Sequence, residues 1–220
     1  MRWIVPLLPA LVMLGGCVDI PKSRDSRQSV ARSTSVITPR PEARQCLAQL
    51  GMTQASFTPV PDQYFGAGCS TLNTVQLASL RSDDAMLALS NIGPVTCPLA
   101  NTFAGWARYG VDRAARQILG SPLVRIETMG SYSCRNVAGT SRRSGHASAN
   151  AIDVSAFVLA DGRRIPVLGT WNGGSAAERQ FLRVVHQSAC KRFGTSLGPD
   201  YNAAHANHFH VEVNGGGYCR

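Results

Sequence analysis

Three of the chain's five histidines lie within the stretch His205-Ala206-Asn207-His208-Phe209-His210. The alternation at its end predicts a β-strand over His208 to Val213, because alternate side chains of a strand point to the same face. His208 and His210 would then share one face, while Phe209 would point into the core. The stretch therefore predicts a sheet that carries chemistry on one side and packing on the other.

A second cluster lies upstream in Ser144-Gly145-His146-Ala147-Ser148-Ala149-Asn150-Ala151-Ile152-Asp153. We predict a strand from Ala151 to Leu159, with Asp153 on one face and His146 in the preceding loop, close enough to reach back. Imidazole and carboxylate are ligands that zinc prefers. We therefore expect His146, Asp153 and His210 around one Zn²⁺. Three protein ligands and a water are typical of catalytic zinc, which lowers the pKa of that water to about 7.

Two other interpretations of the histidines remain open. They could be surface residues that bind metal fortuitously, or zinc could only stabilise the fold. His186 lies in a predicted helix, and we expect it at the surface or its boundary and outside the site.

The remaining elements favour an α+β fold with a mainly antiparallel sheet and flanking helices. Apolar residues at helical spacing predict a helix from Pro98 to about Leu119, which Gly110 could divide. A capping box at Ser175 and Glu178 predicts a second helix to about Phe193, with Phe181, Val184, Val185 and Ala189 facing inward. The other segments are assigned as follows: strand Leu123 to Met129, a hairpin turn at Asp161-Gly162 into a strand Arg163 to Leu168, and a loop from Gly194 to Ala204.

Residues 1–17 predict an export signal. Arg2 precedes an apolar run that is too short to span a bilayer as a stable helix. The run ends in Leu14-Gly15-Gly16-Cys17, which resembles a bacterial lipobox, in which the signal is cleaved before a lipidated cysteine. We therefore expect a periplasmic protein anchored through Cys17. Val18 and Asp19 follow, with no aspartate directly after the cysteine, and by resemblance to bacterial lipoproteins this favours the outer membrane over the inner. The alternative is an ordinary secretory signal.

The other six cysteines form an even set, and an exported chain folds in an oxidising compartment, so we expect disulfides. Sequence alone does not choose the pairing. The pairing we predict is Cys46–Cys69, Cys97–Cys134 and Cys190–Cys219. Zinc-ligating cysteines are the alternative, but the chain contains no Cys-x-x-Cys.

Composition divides the mature chain into a flexible tether, 18–45, and one domain, 46–220. The tether is rich in Ser, Arg, Thr and Pro and holds few large apolar residues, so it cannot bury enough surface to fold. The whole chain has a net charge of +9, and residues 46–220 hold 15 basic and 10 acidic residues. This modest basicity suits an acidic polymer. Because the chain carries an export signal, we expect no nucleic-acid partner.

The pattern Ser-x-His-x(6)-Asp followed by His-x-His resembles the zinc D-alanyl-D-alanine carboxypeptidase group, whose fold is shared with hedgehog signalling domains and lysostaphin-type endopeptidases. Across 46–220 the chain is more closely similar to the bacterial extensin-like C-terminal domain family. The stretches that carry this similarity are Gly130 to Arg135, Ser144 to Asp153, Asp161-Gly162, Cys190, Leu197 to Tyr201 and His205 to His210.

The resemblance implies roles for individual residues. His146, Asp153 and His210 would be the metal ligands, and His208 would hydrogen-bond the water or the developing oxyanion. His205 matches a catalytic histidine, and Arg135 an arginine that could hold a substrate carboxylate.

The chain departs from the group at two positions. Ala149 stands where Gly is usual. Asn207 stands where many members carry a glutamate as general base, so the base would be His205 or His208, or the protein is not a peptidase.

Sequence and resemblance together predict a monomeric zinc-dependent hydrolase that cleaves peptide bonds in peptidoglycan, as a carboxypeptidase or a crosslink endopeptidase. A non-catalytic cell-wall-binding lipoprotein that retains the fold and the metal is the first alternative. A zinc hydrolase of another amide or ester is the second.

Overall fold

The computed structural model describes residues 40–214 and 216–220. The predicted export signal, Cys17 and the predicted tether as far as residue 39 lie outside these residues. Helix α1, Pro41–Met52, begins inside the segment predicted as tether. Its proline lies in the first turn, where the missing N–H has no helical partner to lose. Regular structure therefore begins earlier than the predicted domain boundary at Cys46.

Three further helices follow within the described residues: α2 Cys97–Trp106, α3 Val167–Gly173 and α4 Ala176–Cys190. Helix α2 continues in wider π-type turns, Ala107–Asp112 and Ala115–Leu119. Short 3₁₀ turns at Gly145–Ser148 and Ala203–His205 precede the two halves of the predicted site. None of the helices in the described part of the chain is both long and apolar enough to cross a membrane.

The strands are β1 Ser56–Pro59, β2 Gln63–Gly66, β3 Cys69–Thr71, β4 Thr74–Arg81, β5 Met86–Ser90, β6 Pro94–Thr96, β7 Leu123–Gly130, β8 Ala151–Leu159, β9 Arg164–Pro166, β10 Thr195–Leu197, β11 Phe209–Glu212 and β12 Tyr218–Cys219. Ten of them form one sheet in the order β1-β4-β5-β7-β8-β11-β10-β12, with β6 beside β4 and β9 beside β8. Strands β2 and β3 form a separate hairpin. The large sheet is antiparallel except at β5–β7 and β10–β12. An α+β fold with a mainly antiparallel sheet is therefore confirmed.

Phe209 points from β11 into an aromatic core on one face of the sheet. It is fully buried and lies against Phe157, Trp171 and His186. Trp106 of α2 joins this core, and its Nε1 donates a hydrogen bond to the carbonyl of Val185. The predicted inward orientation of Phe209 is confirmed, which leaves the alternate side chains of β11 for the opposite face.

Several predicted elements agree with the structure. Strand β8 has the predicted bounds, and the capping box at Ser175 and Glu178 begins α4.

Gly110 does not divide the long helix: a Cβ there would lie 2.3 Å from Ser188 Oγ, so the glycine permits close packing against α4.

Other predictions were wrong, because tertiary packing outweighed local pattern. The strand predicted to reach Leu168 ends at Pro166, and the predicted loop from Gly194 contains β10. In α4, Val184 is 37% exposed, whereas His186 is buried. The buried face is rotated from the predicted one, so His186 contacts the aromatic core and burial lowers the pKa of its ring.

The six cysteines pair as three disulfides, Cys46–Cys97, Cys69–Cys134 and Cys190–Cys219. Only the last has the predicted partners. The predicted Cys46–Cys69 and Cys97–Cys134 pairs were wrong, because α1 packs on α2 and the β2–β3 hairpin lies beside the segment that follows β7.

Candidate metal centre

Strand pairing places the two halves of the predicted site side by side. Strand β11 pairs antiparallel with β8, and His210 lies directly opposite Asp153. His146 follows Ser144 in the 3₁₀ turn that leads into β8. All three side chains are buried or nearly so. Residues that are far apart in sequence thus meet on the face opposite Phe209.

Three ligand atoms converge at this point. Asp153 Oδ1 lies 2.8 Å from His210 Nδ1, and Asp153 Oδ2 lies 3.1 Å from His146 Nε2. The two imidazoles approach at 3.3 Å, between His146 Nε2 and His210 Nδ1. Zinc–nitrogen bonds of about 2.0–2.1 Å in a tetrahedron place ligand atoms about 3.3 Å apart. The set therefore fits a small cation with little rearrangement.

His146 is oriented by the backbone around it. Its Nδ1 lies 3.2 Å from the carbonyl oxygen of Ser131, so Nδ1–H donates and Nε2 is left as the ligand atom. Ser144 accepts a hydrogen bond from the His146 amide and caps the turn. Ala149 ends the turn at a φ of 54°, in the left-handed region. Glycine adopts this conformation without the steric cost that a Cβ brings, so Ala149 is a strained residue at the end of the turn.

Glu212 belongs to the site, although sequence reasoning missed it. Its Oε1 lies 2.7 Å from His210 Nε2. The carboxyl also lies against Gly145, where a Cβ would approach Glu212 Cδ to 2.6 Å. The signal that could have found it is strand alternation, since residue 212 shares the face of residue 210. Its bond holds Nε2 as a donor and directs Nδ1 of His210 towards Asp153.

The charges at the centre favour a buried carboxylate. Burial alone would raise the pKa of Asp153, but its contacts with His146 and His210 hold that pKa far below its ordinary value. Burial would likewise lower the pKa of His210, whereas Asp153 and Glu212 raise it to about 9. Without a cation, His210 therefore carries the positive charge between two carboxylates.

His208 and His205 extend the cluster towards the surface. His208 Nε2 lies 3.4 Å from Asp153 Oδ1, so this side chain shares the face of His210 as predicted. The rings of His205 and His208 are 5.1 Å apart. Burial is the main cause that lowers the pKa of both histidines, for His205 to about 4. Both imidazoles are therefore neutral near pH 7.

Two asparagines orient these neutral rings. His205 Nδ1 lies 2.7 Å from Asn202 Oδ1, which also accepts a hydrogen bond from the His205 amide. His208 Nδ1 lies 2.7 Å from Asn207 Oδ1. Since amide oxygens accept, each Nδ1 carries the proton and each Nε2 presents a lone pair. Asn207 therefore orients the ring of His208.

Arg135 lies on the loop between β7 and the His146 turn and is exposed. Its positive charge contributes, after burial and the neighbouring histidines, to the lowered pKa of His205 and His208. A long, exposed cation at the margin of the cluster can reach an acidic ligand there.

The described residues contain two other groups with ligand atoms within 4.8 Å of one another. One consists of His205, His208 and His210, and it overlaps the first through His210. The other consists of His186, Cys190 and Cys219, but its cysteines form a disulfide and cannot act as thiolate ligands. The His146, Asp153 and His210 set combines the deepest burial with a second hydrogen bond on each imidazole.

The protein is thus an α+β domain with a candidate metal centre on its sheet. Two histidines and an aspartate form this centre, and the Ser131 carbonyl and Glu212 hold the two imidazoles in place. Residues 44–220 match the family model described as extensin-like protein C-terminus. The chain therefore belongs to the extensin-like C-terminal family. No curated protein and no solved structure matches the chain.

Proposed function

We propose that the protein is a zinc-dependent hydrolase of peptide bonds in peptidoglycan, as a carboxypeptidase or crosslink endopeptidase. The observation that carries the proposal is the convergence of His146 Nε2, Asp153 and His210 Nδ1, with Ser131 and Glu212 holding the outer ring nitrogens. Such outer hydrogen bonds are typical of histidines that ligate metals. The resemblance of the two motifs to zinc D-alanyl-D-alanine carboxypeptidases supports both the proposed substrate class and a hedgehog-like fold.

Zinc at this position would polarise a substrate carbonyl and lower the pKa of water. The neutral Nε2 of His208 or His205 can accept a proton, and the resulting imidazolium can donate to a developing oxyanion or a leaving amine. Arg135 would hold a substrate carboxylate. Peptidoglycan stem peptides carry free carboxylates, which agrees with this arrangement.

Asn207 favours a second candidate, a cell-wall-binding protein that retains the fold and the metal but does not cleave. No carboxylate stands at the position of the usual base, and a pKa of about 4 makes His205 a weak base at neutral pH. Metal binding is therefore better supported than catalysis.

One experiment separates the two candidates. Purified peptidoglycan and soluble muropeptides are incubated with the zinc-loaded protein, and the products are analysed by mass spectrometry. The hydrolase releases new peptide fragments, and both a chelator and His210→Ala abolish them.

Glu127→Ala is the matched control, because it removes a carboxylate that pairs with Arg164 on the surface, outside the cluster. This variant retains full activity if the site is the one we propose. Tight binding without fragments, unaffected by a chelator, would support the wall-binding alternative instead.

We also propose that the domain is anchored through a lipid on Cys17 in the periplasm, at the outer membrane. Mass spectrometry of the native protein tests the anchor. A diacylglycerol-modified amino-terminal Cys17 supports it, and an unmodified Cys17 contradicts it.

A further inference from the structure

The β2–β3 hairpin presents exposed aromatic rings beside the candidate metal centre. Tyr64 and Phe65 are 78% and 51% exposed. The ring of Phe65 lies 5.3 Å from that of Tyr132, measured between centroids. Single exposed rings are normal on a protein surface, but contiguous ones such as Phe65 and Tyr132 indicate a candidate binding surface.

The hairpin is physically continuous with the site. Tyr132 lies between Ser131, whose carbonyl accepts from His146 Nδ1, and Ser133, whose amide donates to the His146 carbonyl at 3.0 Å. The Cys69–Cys134 disulfide ties β3 to the same segment. A ligand that lies on these rings is therefore guided towards His146.

The surface around the rings is basic. Residues 128–152 contain three arginines and no acidic residue. Arg143 extends along the hairpin turn, where a Cβ on Gly68 would lie 3.6 Å from the Arg143 side chain. Arg135 and Arg142 are exposed on the same loop. Asp62, the acidic residue that precedes β2, accepts a hydrogen bond from the Asn73 amide.

Aromatic faces next to arginines suit a polymer of sugar rings that bears carboxylates. The apolar C–H face of a pyranose packs on an aromatic ring, and the phenol of Tyr64 can bond a sugar hydroxyl. Arginine matches carboxylates in geometry and charge. We propose that Tyr64, Phe65 and Tyr132 bind the glycan strand of peptidoglycan. The arginines of residues 135–143 bind carboxylates of its stem peptide, which enters the metal centre.

This inference rests on the proposed function for the identity of the polymer. An anionic membrane would offer the same charge, but a bilayer against the hairpin would cover the adjoining site. The glycan is favoured because a strand can lie on the rings while its peptide enters the site.

Binding to purified peptidoglycan sacculi tests the proposal. The full mature chain carries His210→Ala, so that cleavage does not consume the ligand. Tyr64→Ala with Phe65→Ala is compared with Met52→Ala with Tyr109→Ala, whose side chains are 77% and 47% exposed on other elements. Truncation of the two aromatic side chains should lower the affinity for sacculi, measured by co-sedimentation, about tenfold. The control double variant should keep an affinity within about twofold of that of the His210→Ala parent.

Equal affinity in the two double variants would overturn the proposal. The proposal would also be overturned if the Tyr64→Ala, Phe65→Ala variant lost binding to phosphatidylglycerol vesicles but kept its affinity for sacculi. The hairpin would then be a membrane-binding surface. The outcome is separable from the proposed hydrolysis. A wild type that cleaves nothing, with the binding difference intact, refutes the hydrolase alone. Cleavage with no binding difference refutes the glycan surface alone.

Discussion

At the scale of single residues, Glu212 is the best test of whether the centre is built to hold a metal. Glu212→Ala removes the acceptor for His210 Nε2–H and frees the ring to rotate. We expect zinc affinity to fall about 10- to 100-fold, as is usual when an outer hydrogen bond to a ligand is lost. Competition with a chromophoric chelator measures this change.

Glu212→Gln keeps an oxygen acceptor, so its zinc affinity should lie between those of the wild type and the alanine variant. Glu127→Ala again serves as the control. An unchanged zinc affinity in Glu212→Ala would mean that His210 is held by Asp153 alone.

The raised pKa of His210 predicts that zinc and protons compete. Its pKa of about 9 means that His210 is protonated at pH 7.5 in the metal-free protein, whereas a ligand imidazole is neutral. Zinc binding at that pH should therefore release about one proton from this residue. Calorimetry in buffers of different ionisation enthalpy counts the protons.

The same shift makes the metal-free protein sensitive to base. The pKa of His210 in the folded state lies above its unfolded value of about 6.5, so protonation of His210 stabilises the fold. This contribution to the free energy of unfolding is fully present below pH 6.5 and is lost as the pH rises through about 9. Unfolding in urea at pH 6.5 and 9.5, with a chelator present, measures the loss. A free energy of unfolding that does not decrease over this range would contradict the two-carboxylate environment.

At the scale of elements, two disulfides of similar span differ in their relation to the site. Cys46–Cys97 and Cys69–Cys134 have sequence separations of 51 and 65. Replacing either pair by serine should lower the free energy of unfolding by about 4 kcal/mol on the chain-entropy account. Only the loss of Cys69–Cys134 should also weaken zinc binding, because Cys134 follows the segment that orients His146.

Denaturant unfolding and zinc titration of the two double variants distinguish these effects. Each pair is the control for the other, since the expected stability losses are close. Equal zinc affinity in both variants would show that the hairpin does not help to hold His146 in place.

Elements were predictable where the local pattern was strong and long. Strand β8 is apolar apart from Asp153 and Ser155, and the capping box of Ser175 and Glu178 marks the start of α4. Strand β10 is only three residues long and forms by pairing with the edge of β11. So short a segment contains no alternation from which a strand could be predicted. His186 was predicted at the surface because histidine is polar. It is buried because the packing of α4 on the aromatic core, and not the residue type, decides which positions of the helix are covered.

At the scale of the whole molecule, the site was more predictable than the disulfides. His146 and Asp153 lie close in sequence, and the alternation of β11 fixes which face His210 occupies. Cysteine pairing depends on the docking of α1 and of the β2–β3 hairpin, for which the sequence contains no periodic signal. Glu212 carries no histidine-like signal of its own, although the alternation of β11 places residue 212 on the face of residue 210.

The division of the sheet into a packed face and a polar face predicts that the metal can be lost without loss of the fold. Phe209, Phe157 and Trp106 are fully buried on the core face, whereas Asp153 points to the other. Asp153→Asn should abolish zinc binding and leave cooperative unfolding, because the core and three disulfides remain. The zinc content, measured by metal analysis, should fall from one ion per chain to none, while the far-ultraviolet circular dichroism spectrum stays unchanged. A stoichiometry that stays at one would refute the ligand assignment. Loss of the native spectrum would mean that the centre is structural, as in domains that fold only with their zinc.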